Sequence, residues 1–357
     1  MNDSHTSLPP ETPRTVLFRC DGTSQTGLGH ASRSLALAEA FVDLGCGCSF
    51  VGRFDAPVQE RLRTAGMVTE ALDAESWSTD DAAALTDLTA RRSACGVVID
   101  SYLVGADYAG RIEDSGAPVL LIDDFAALPH YPCSAVLNFT SRADEYAYPC
   151  DNLRCFLGPR WFLGRRGLRQ LRAQGPRPVR DVRHALVTSG GSDPHDILLP
   201  AIEALLACDP QLSLRAVVPA GYAARVRLEA LLARFRGETR VLSQLPDLSS
   251  ELEWADVCIA GAGLTKYEAA YLGVPSGVLS QNEGQARDTV RFASLGMALD
   301  LGLASQIDRA SLNANVRRLV QDRELRESLQ RHSLAVFPED PTRDLAVALL
   351  SEVFLVT

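Results

Sequence analysis

The sequence predicts an α/β protein with two parallel-sheet halves, and three observations carry that prediction. Short apolar runs recur through the first half and each gives way to a helical repeat, the alternation that builds parallel sheets. The alternation lapses between Gly158 and Arg183 and resumes at Ala185. The chain has 357 residues, 46% of them apolar and 22% charged, which is ordinary globular composition and the length of about two domains. The boundaries that follow are a loose tail over 1–13, a first α/β domain over 14–163, a connector over 164–183, a second α/β domain over 184–335, and a closing helix over 336–357 that packs on the domains.

Val16-Leu17-Phe18 reads as a buried strand, and Leu35, Leu37, Ala38 and Phe41 recur at helical spacing after it. Between them runs a glycine-rich turn that ends in Gly27-Leu28-Gly29-His30. Such a turn lets a substrate approach the backbone, and the free N–H groups of the helix start favour an anion. The spacing of Gly22, Gly27 and Gly29 matches neither the dinucleotide fingerprint nor the P-loop. Taken alone, His30 reads first as a cap or packing residue, with a reactive group as the alternative.

The next strands are Cys48 to Val51, Val97 to Asp100, Val119 to Asp123 and Ala135 to Asn138. Asp100-Ser101-Tyr102 and Asp123-Asp124 fall at strand ends, where an open parallel sheet lines its ligand crevice. An aspartate there is also a common turn or cap residue. Tyr102 offers a ring that closes a pocket and a hydroxyl that hydrogen-bonds a ligand.

Gly164-Arg165-Arg166-Gly167 and Gly175-Pro176-Arg177-Pro178 read as the connector, with the arginines on a solvated face and a basic rim to the cleft as the alternative. The second series opens with the strand Ala185 to Thr188 and the turn Ser189-Gly190-Gly191-Ser192-Asp193-Pro194. Ser192 or Asp193 is placed to cap a helix whose first turn holds Pro194, and the backbone at Gly190 and Gly191 suits a phosphate or a sugar hydroxyl.

Strands at Leu214 to Val218 and Arg240 to Leu242 precede Ala255 to Ile259, which leads into Ala260-Gly261-Ala262-Gly263-Leu264-Thr265-Lys266-Tyr267-Glu268. The small residues permit close backbone approach, Thr265 can donate to a diphosphate, and Glu268 can accept from ribose hydroxyls. Lys266 is the only lysine of the chain; it reads as a surface residue, with phosphate contact the alternative. After the apolar Gly277 to Leu279, Asn282 and Gln285 either meet a ligand edge or cap the next helix. Ser311 to Leu329 and Arg343 to Leu355 carry helical patterning.

A formal net charge of −10 argues against general polyanion binding, so no nucleic-acid partner is expected. The nine cysteines form no disulfide framework, and Cys46-Gly47-Cys48 is too tight for a redox or zinc pair, so no metal is expected. Met1 to Pro13 lacks the pattern of a signal peptide, and no apolar run is long enough for a bilayer. A soluble cytoplasmic protein is the expectation, and its oligomeric state is not encoded in these patterns.

Gly27-Leu28-Gly29-His30, Ile99 to Tyr102, Asp123-Asp124, Asn138, Ser189 to Pro194, Gly263 to Glu268 and Gln285 together resemble, in order, the UDP-sugar hydrolases of the pseudaminic acid pathway and their relatives in spore-coat polysaccharide biosynthesis. The resemblance spans about Val16 to Leu301. It implies a GT-B-like fold, two Rossmann-like domains whose parallel sheets face a central cleft, with nucleotide held mainly by the second domain. It implies His30 as the base that activates water, Tyr102 orienting water or sugar, and Asp21 and Arg33 supporting the pocket. Gly27, Gly29, Asp100, Asp123, Asp124, Asn138, Gly190, Gly191, Ser192 and Asp193 would then face the sugar or diphosphate. Gly261, Gly263, Leu264, Thr265, Lys266, Glu268, Asn282 and Gln285 would hold the nucleotide. The implied partner is a UDP-sugar, and neither metal nor cofactor is required. The run Gly263-Leu264-Thr265-Lys266-Tyr267-Glu268 also looks like the donor loop of the undecaprenyl-linked muropeptide N-acetylglucosaminyltransferases, so transfer of the sugar to a small-molecule acceptor is the alternative. A non-catalytic nucleotide-sugar binder is the third.

Overall fold

The computed structural model describes residues 14–23, 29–150, 152–243, 245 and 247–355. The first half runs β1 (Thr15–Cys20), α1 (Gly29–Asp43), β2 (Gly47–Val51), α2 (Ala56–Thr64), β3 (Val68–Glu70), α3 (Thr79–Arg92), β4 (Ala94–Asp100), α4 (Ala106–Glu113), β5 (Val119–Ile122), β6 (Ala135–Asn138) and β7 (Arg154–Leu157). After α5 (Arg166–Ala173) come β8 (His184–Thr188), α6 (Leu198–Cys208), β9 (Ser213–Val218), α7 (Arg225–Leu232), β10 (Thr239–Ser243), α8 (Ser249–Trp254), β11 (Val257–Gly261), α9 (Leu264–Tyr271), β12 (Ser276–Ser280), α10 (Glu283–Ser294) and β13 (Leu299–Leu303). Three helices follow: α11 (Arg309–Gln321), α12 (Arg323–Val336) and α13 (Pro341–Ala348).

The strands form a seven-stranded sheet ordered β3-β2-β1-β4-β5-β6-β7 and a six-stranded sheet ordered β10-β9-β8-β11-β12-β13. Every pairing is parallel. A parallel strand covered by helices on both faces must be apolar throughout, which is why β4, β5 and β6 are almost uninterrupted hydrophobic runs. In each sheet the strand order reverses once, between β1 and β4 and between β8 and β11. Loops that leave adjacent strands in opposite directions open a crevice there. The end of β1, the start of α1 and the Gly190 and Gly263 turns are thereby set at the two crevices.

The carboxyl ends of the two sheets meet. Ser141, just past β6, donates its backbone N–H to the Tyr267 hydroxyl of α9 at 3.0 Å and its hydroxyl to Asp288 of α10 at 2.5 Å. Arg61 of α2 donates to the Leu245 carbonyl past β10 at 2.7 Å. Between them an apolar cluster joins the domains, with the Tyr267 ring 5.7 Å from Phe139, 6.1 Å from Phe162 and 5.0 Å from Phe292.

The chain end returns to the first domain. Helix α13 packs on α1, and Phe354 lies 6.1 Å from Phe41 in a recess that exists because residue 96 is glycine. The connector is not the solvated arginine stretch expected from its composition. It carries α5, Arg165 is buried, and Arg166 and Arg169 reach Asp43 of α1 at 2.7 and 2.5 Å. Carboxylates on α1, invisible to local sequence reading, draw these cations inward.

Candidate active site at the carboxyl ends of the sheets

The register pairs Cys20 at the end of β1 with Asp100 at the end of β4. Helix α1 starts at Gly29, so His30, Arg33 and Ser34 stand on one face of its first turns, three and four residues apart. All three converge on Asp100. The His30 Nδ1 lies 2.6 Å from Asp100 Oδ1, Arg33 donates to both Asp100 oxygens at 2.7 and 2.6 Å, and Ser34 adds a 3.3 Å hydrogen bond.

Asp100 is fully buried. Burial pushes its carboxyl up, but Arg33 and then His30 outweigh burial and hold it below the usual carboxylate range. An ionised carboxylate only accepts hydrogen bonds. The proton of a neutral His30 therefore sits on Nδ1, and Nε2 carries the lone pair.

Arg33 also spans to Asp124, with Nη1 at 2.9 and 2.7 Å from its two oxygens. Burial would lower the Arg33 guanidinium, yet Asp100 and Asp124 raise it well above the ordinary value, so it stays charged. Tyr102 packs edge-on against His30 with ring centroids 4.5 Å apart, and its hydroxyl donates to Asp124 at 2.7 Å. Burial of that hydroxyl end and the Asp124 charge push its pKa up. The hydroxyl is committed to Asp124, and what Tyr102 presents outward is its ring.

The other first-domain candidates are placed differently. Asp21 accepts from Arg19 at 2.9 Å, from the Arg53 backbone at 2.9 Å and from the Trp77 indole at 2.9 Å, so its carboxylate braces the loops after β1, β2 and β3. Asp123 accepts from the backbones of Phe125 and Ala127 and from Tyr131, and Asn138 accepts from Thr140 and donates to Tyr148. Both hold turns. Gly29 has open space above its Cα, while Gly27 lies outside the described residues.

In the second domain Gly190 adopts a φ of +88°, and it, Gly191 and Gly263 have open space where a side chain would be. Gly261 is the opposite case, because a Cβ there would strike the Ser189 carbonyl. The Gly190 and Gly263 turns are thus neighbours. Ser192 contributes its carbonyl, which accepts from Gln281 at 3.1 Å.

Asp193 is not the N-cap expected of it, because α6 begins at Leu198 with Ile197 at its N-cap and not at Pro194. Its oxygens accept from the N–H groups of Ile197 and Leu198 at 2.8 and 3.3 Å, which fixes the start four residues later. Asn282 and Gln285 form a reciprocal cap on α10: Asn282 accepts from Gln285 N, and Gln285 accepts from Gln281 N, each at 2.9 Å.

Lys266 corrects the expectation of a surface lysine. It is fully buried, 2.6 Å from Asp288 and over the rings of Tyr267 and Phe292. Burial pulls its ammonium below the usual lysine range although Asp288 opposes that, and a residue so enclosed does not reach a ligand phosphate.

Leu264 and buried Thr265 open α9, and Glu268 lies one turn further on. Burial pushes the Glu268 carboxyl up to about 7, with Arg165 opposing, Asp247 adding to the rise, and the Thr265 hydrogen bond and Arg61 opposing. Arg61 belongs to the first domain, so Glu268 sits where the two meet.

Sequence reasoning did not single out Arg61, Asp247 or Gln281 around this site, or Leu103 and Phe125 next to Tyr102, and it set Arg165 on a solvated face with the cleft rim as the alternative. Gln281 immediately follows a strand, the same signal that marks Asp100. The arginines carry no local signal, since their partners come from distant segments.

No known protein-family profile matches the chain. It is 32% identical over 156 residues to a spore coat polysaccharide biosynthesis protein, SpsG, of Bacillus subtilis (strain 168), a match that covers 43% of this chain and 45% of that protein. The chain spans about half the length of the curated relatives it matches. Among solved structures it is similar to MurG of Acinetobacter baumannii, with a TM-score of 0.60 at 17% identity over 94% of this chain and 99% of that one. It is similar also to a UDP-glucosyltransferase from Polygonum tinctorium capable of glucosylating indoxyl, with a TM-score of 0.65 at 15% identity over 97% and 99%. With its two all-parallel sheets the chain has a GT-B-like fold of two Rossmann-like domains.

Proposed function

We propose that this chain is a glycosyltransferase that moves a sugar from a UDP-sugar to the hydroxyl of a small-molecule acceptor, with His30 as general base. The observation that carries the reading is the His30–Asp100 pair at 2.6 Å, set at the strand reversal of the first sheet, which in the neutral imidazole puts the proton-accepting lone pair on Nε2. The glycosyltransferases that share this fold support transfer over the hydrolysis that the motif resemblance first implies.

In this mechanism Nε2 takes the acceptor hydroxyl proton as the acceptor oxygen bonds to the anomeric carbon. The bond from that carbon to the diphosphate oxygen breaks, and UDP leaves with the electron pair. Asp100 stabilises the resulting imidazolium, and Arg33 keeps Asp100 ionised and in place. The backbone N–H groups at Gly191 and the start of α9 receive the departing charge. Thr265 and Glu268 hold the nucleotide, Glu268 through ribose hydroxyls. Asp21, Asp123 and Asn138 act as positioning residues through the loops they brace.

Water in place of the acceptor gives the hydrolase reading, which the resemblance of the Gly29-His30 and Tyr102 segments to UDP-sugar hydrolases supports. The test is a panel of UDP-sugars with and without acceptor alcohols, with products identified. UDP release that needs an acceptor supports transfer, and release of free sugar without one assigns water. His30→Ala should lower turnover by about 10²–10⁴-fold while UDP still binds. Full activity in that variant refutes the base assignment, and UDP binding without any turnover in the wild type leaves a binding protein.

A further inference from the structure

Tyr102, Leu103 and Phe125 expose 57%, 66% and 53% of their surface. Among the described residues, the other strongly exposed large apolar side chains are all valine or leucine, so both exposed aromatic rings lie at one place. The rings of Tyr102 and Phe125 are 5.3 Å apart, and Tyr102 touches His30.

These rings are held rigidly. The Tyr102 hydroxyl is anchored on Asp124, the Leu103 N–H donates to Ser101 Oγ at 3.0 Å, and the Phe125 N–H donates to Asp123 at 2.9 Å. A fixed, contiguous apolar patch in water marks an interaction site. Its charge environment narrows the occupant, because three carboxylates, Asp100, Asp123 and Asp124, stand against the single cation Arg33 beneath the patch and leave it net negative.

We propose that Tyr102, Leu103 and Phe125 form the acceptor subsite, and that the acceptor is an uncharged hydroxyl compound with a flat apolar face laid on these rings. The proposal rests on the transfer reading above, since the patch adjoins the base that would deprotonate an acceptor. It assigns specificity to Leu103 and Phe125. An anionic acceptor is disfavoured by the net charge, and the ring faces offer it no cation.

The test is a saturation-transfer NMR titration of the full chain with UDP present. It uses 4-hydroxybenzyl alcohol and its anionic counterpart 4-hydroxybenzoate, on wild type, Leu103→Ser and Phe125→Ser. Both positions are exposed, so the variants should fold, and an unchanged circular dichroism spectrum checks this. The neutral probe should bind wild type at millimolar concentration, lose about tenfold in affinity in each variant, and bind more tightly than the anion. UDP affinity by calorimetry should not change. Failure of the neutral probe to bind, equal affinity in the variants, or preference for the anion overturns the proposal. So does a wild-type dimer that Phe125→Ser converts to monomer in sedimentation, which assigns the patch to a second copy. UDP binding and donor turnover are read separately, so their absence strikes the transfer reading and not the subsite.

Discussion

At Asp100 one buried carboxylate sets the state of two neighbours. Asp100→Asn keeps the shape but removes the charge that balances Arg33 and turns an obligate acceptor into a group with an N–H to offer Nδ1. His30 is then drawn into the opposite tautomer, with its lone pair pointing inward. Turnover should fall about 10²–10⁴-fold, in the range of a lost general base, and stability should fall by about 3 kcal/mol as a buried pair is broken. Activity and chemical denaturation measure the two effects, and a variant with wild-type turnover removes Asp100 from the mechanism. Glu268 supplies a pH dependence. With its carboxyl pushed up to about 7, it is ionised above that value and accepts ribose donors; below it the proton competes. A UDP-sugar, whose diphosphate is esterified at both ends, should bind about tenfold more weakly at pH 6 than at pH 8, and Glu268→Gln should flatten that slope. A flat wild-type profile excludes the ribose role. The convergence of His30, Asp100 and Asp124 was legible because each lies at a strand end or helix start, whereas Arg33 entered only through the family resemblance. The partner of the Tyr102 hydroxyl was not, since spacing says where a side chain begins and not which carboxylate its tip meets.

At the level of elements, the strand reversals decide which turns matter, and the glycines of those turns do different work. Gly261→Ala forces a Cβ onto the Ser189 carbonyl, so the end of β11 must part from the loop after β8. We expect a loss of more than about 2 kcal/mol and, on the proposed reading, weaker UDP binding, because the Gly190 and Gly263 turns both shift. Gly263→Ala meets nothing and should leave stability within about 1 kcal/mol. Thermal melts of the two variants check the contrast, and equal losses contradict the close-approach account. The long buried strands were readable as apolar runs. The short β3 and β7, and β13 with its alternating pattern, were not, because their pairing depends on an already formed neighbour. The start of α6 was misplaced for a related reason: Asp193 reaches four residues along the chain, and Ile197 and Leu198, not Pro194, take its hydrogen bonds.

Across the whole molecule, polar ties and an apolar cluster join the two domains, and Lys266 stands both at the Asp288 tie and at the cluster. Asp288 accepts from Ser141 of the first domain and from Tyr267, and it pairs with Lys266; these partners hold its carboxyl below the usual range against the opposing effect of burial. The tie lies one helix turn from Thr265 and Glu268, so the nucleotide side of the site is rigid only while the domains stay joined. Sequence reading placed Lys266 at the surface because nothing local to α9 foretells Ser141 or Phe139 above it. Lys266→Met leaves Asp288 with hydrogen bonds but no counter-charge, and should cost about 3 kcal/mol. Because Lys266 is the only lysine, an amine-directed reagent reads the tie directly. In native protein Lys266 should stay unlabelled, and it should react fully in denaturant. Ser141→Ala, which removes one donor to Asp288 and leaves Lys266 itself intact, should speed native-state labelling of Lys266, and bound UDP should slow it again by favouring the joined state. Rapid labelling of Lys266 in the native wild type would show that the domains part readily at this point, and the rigid placement of α9 against the first domain would fall with it.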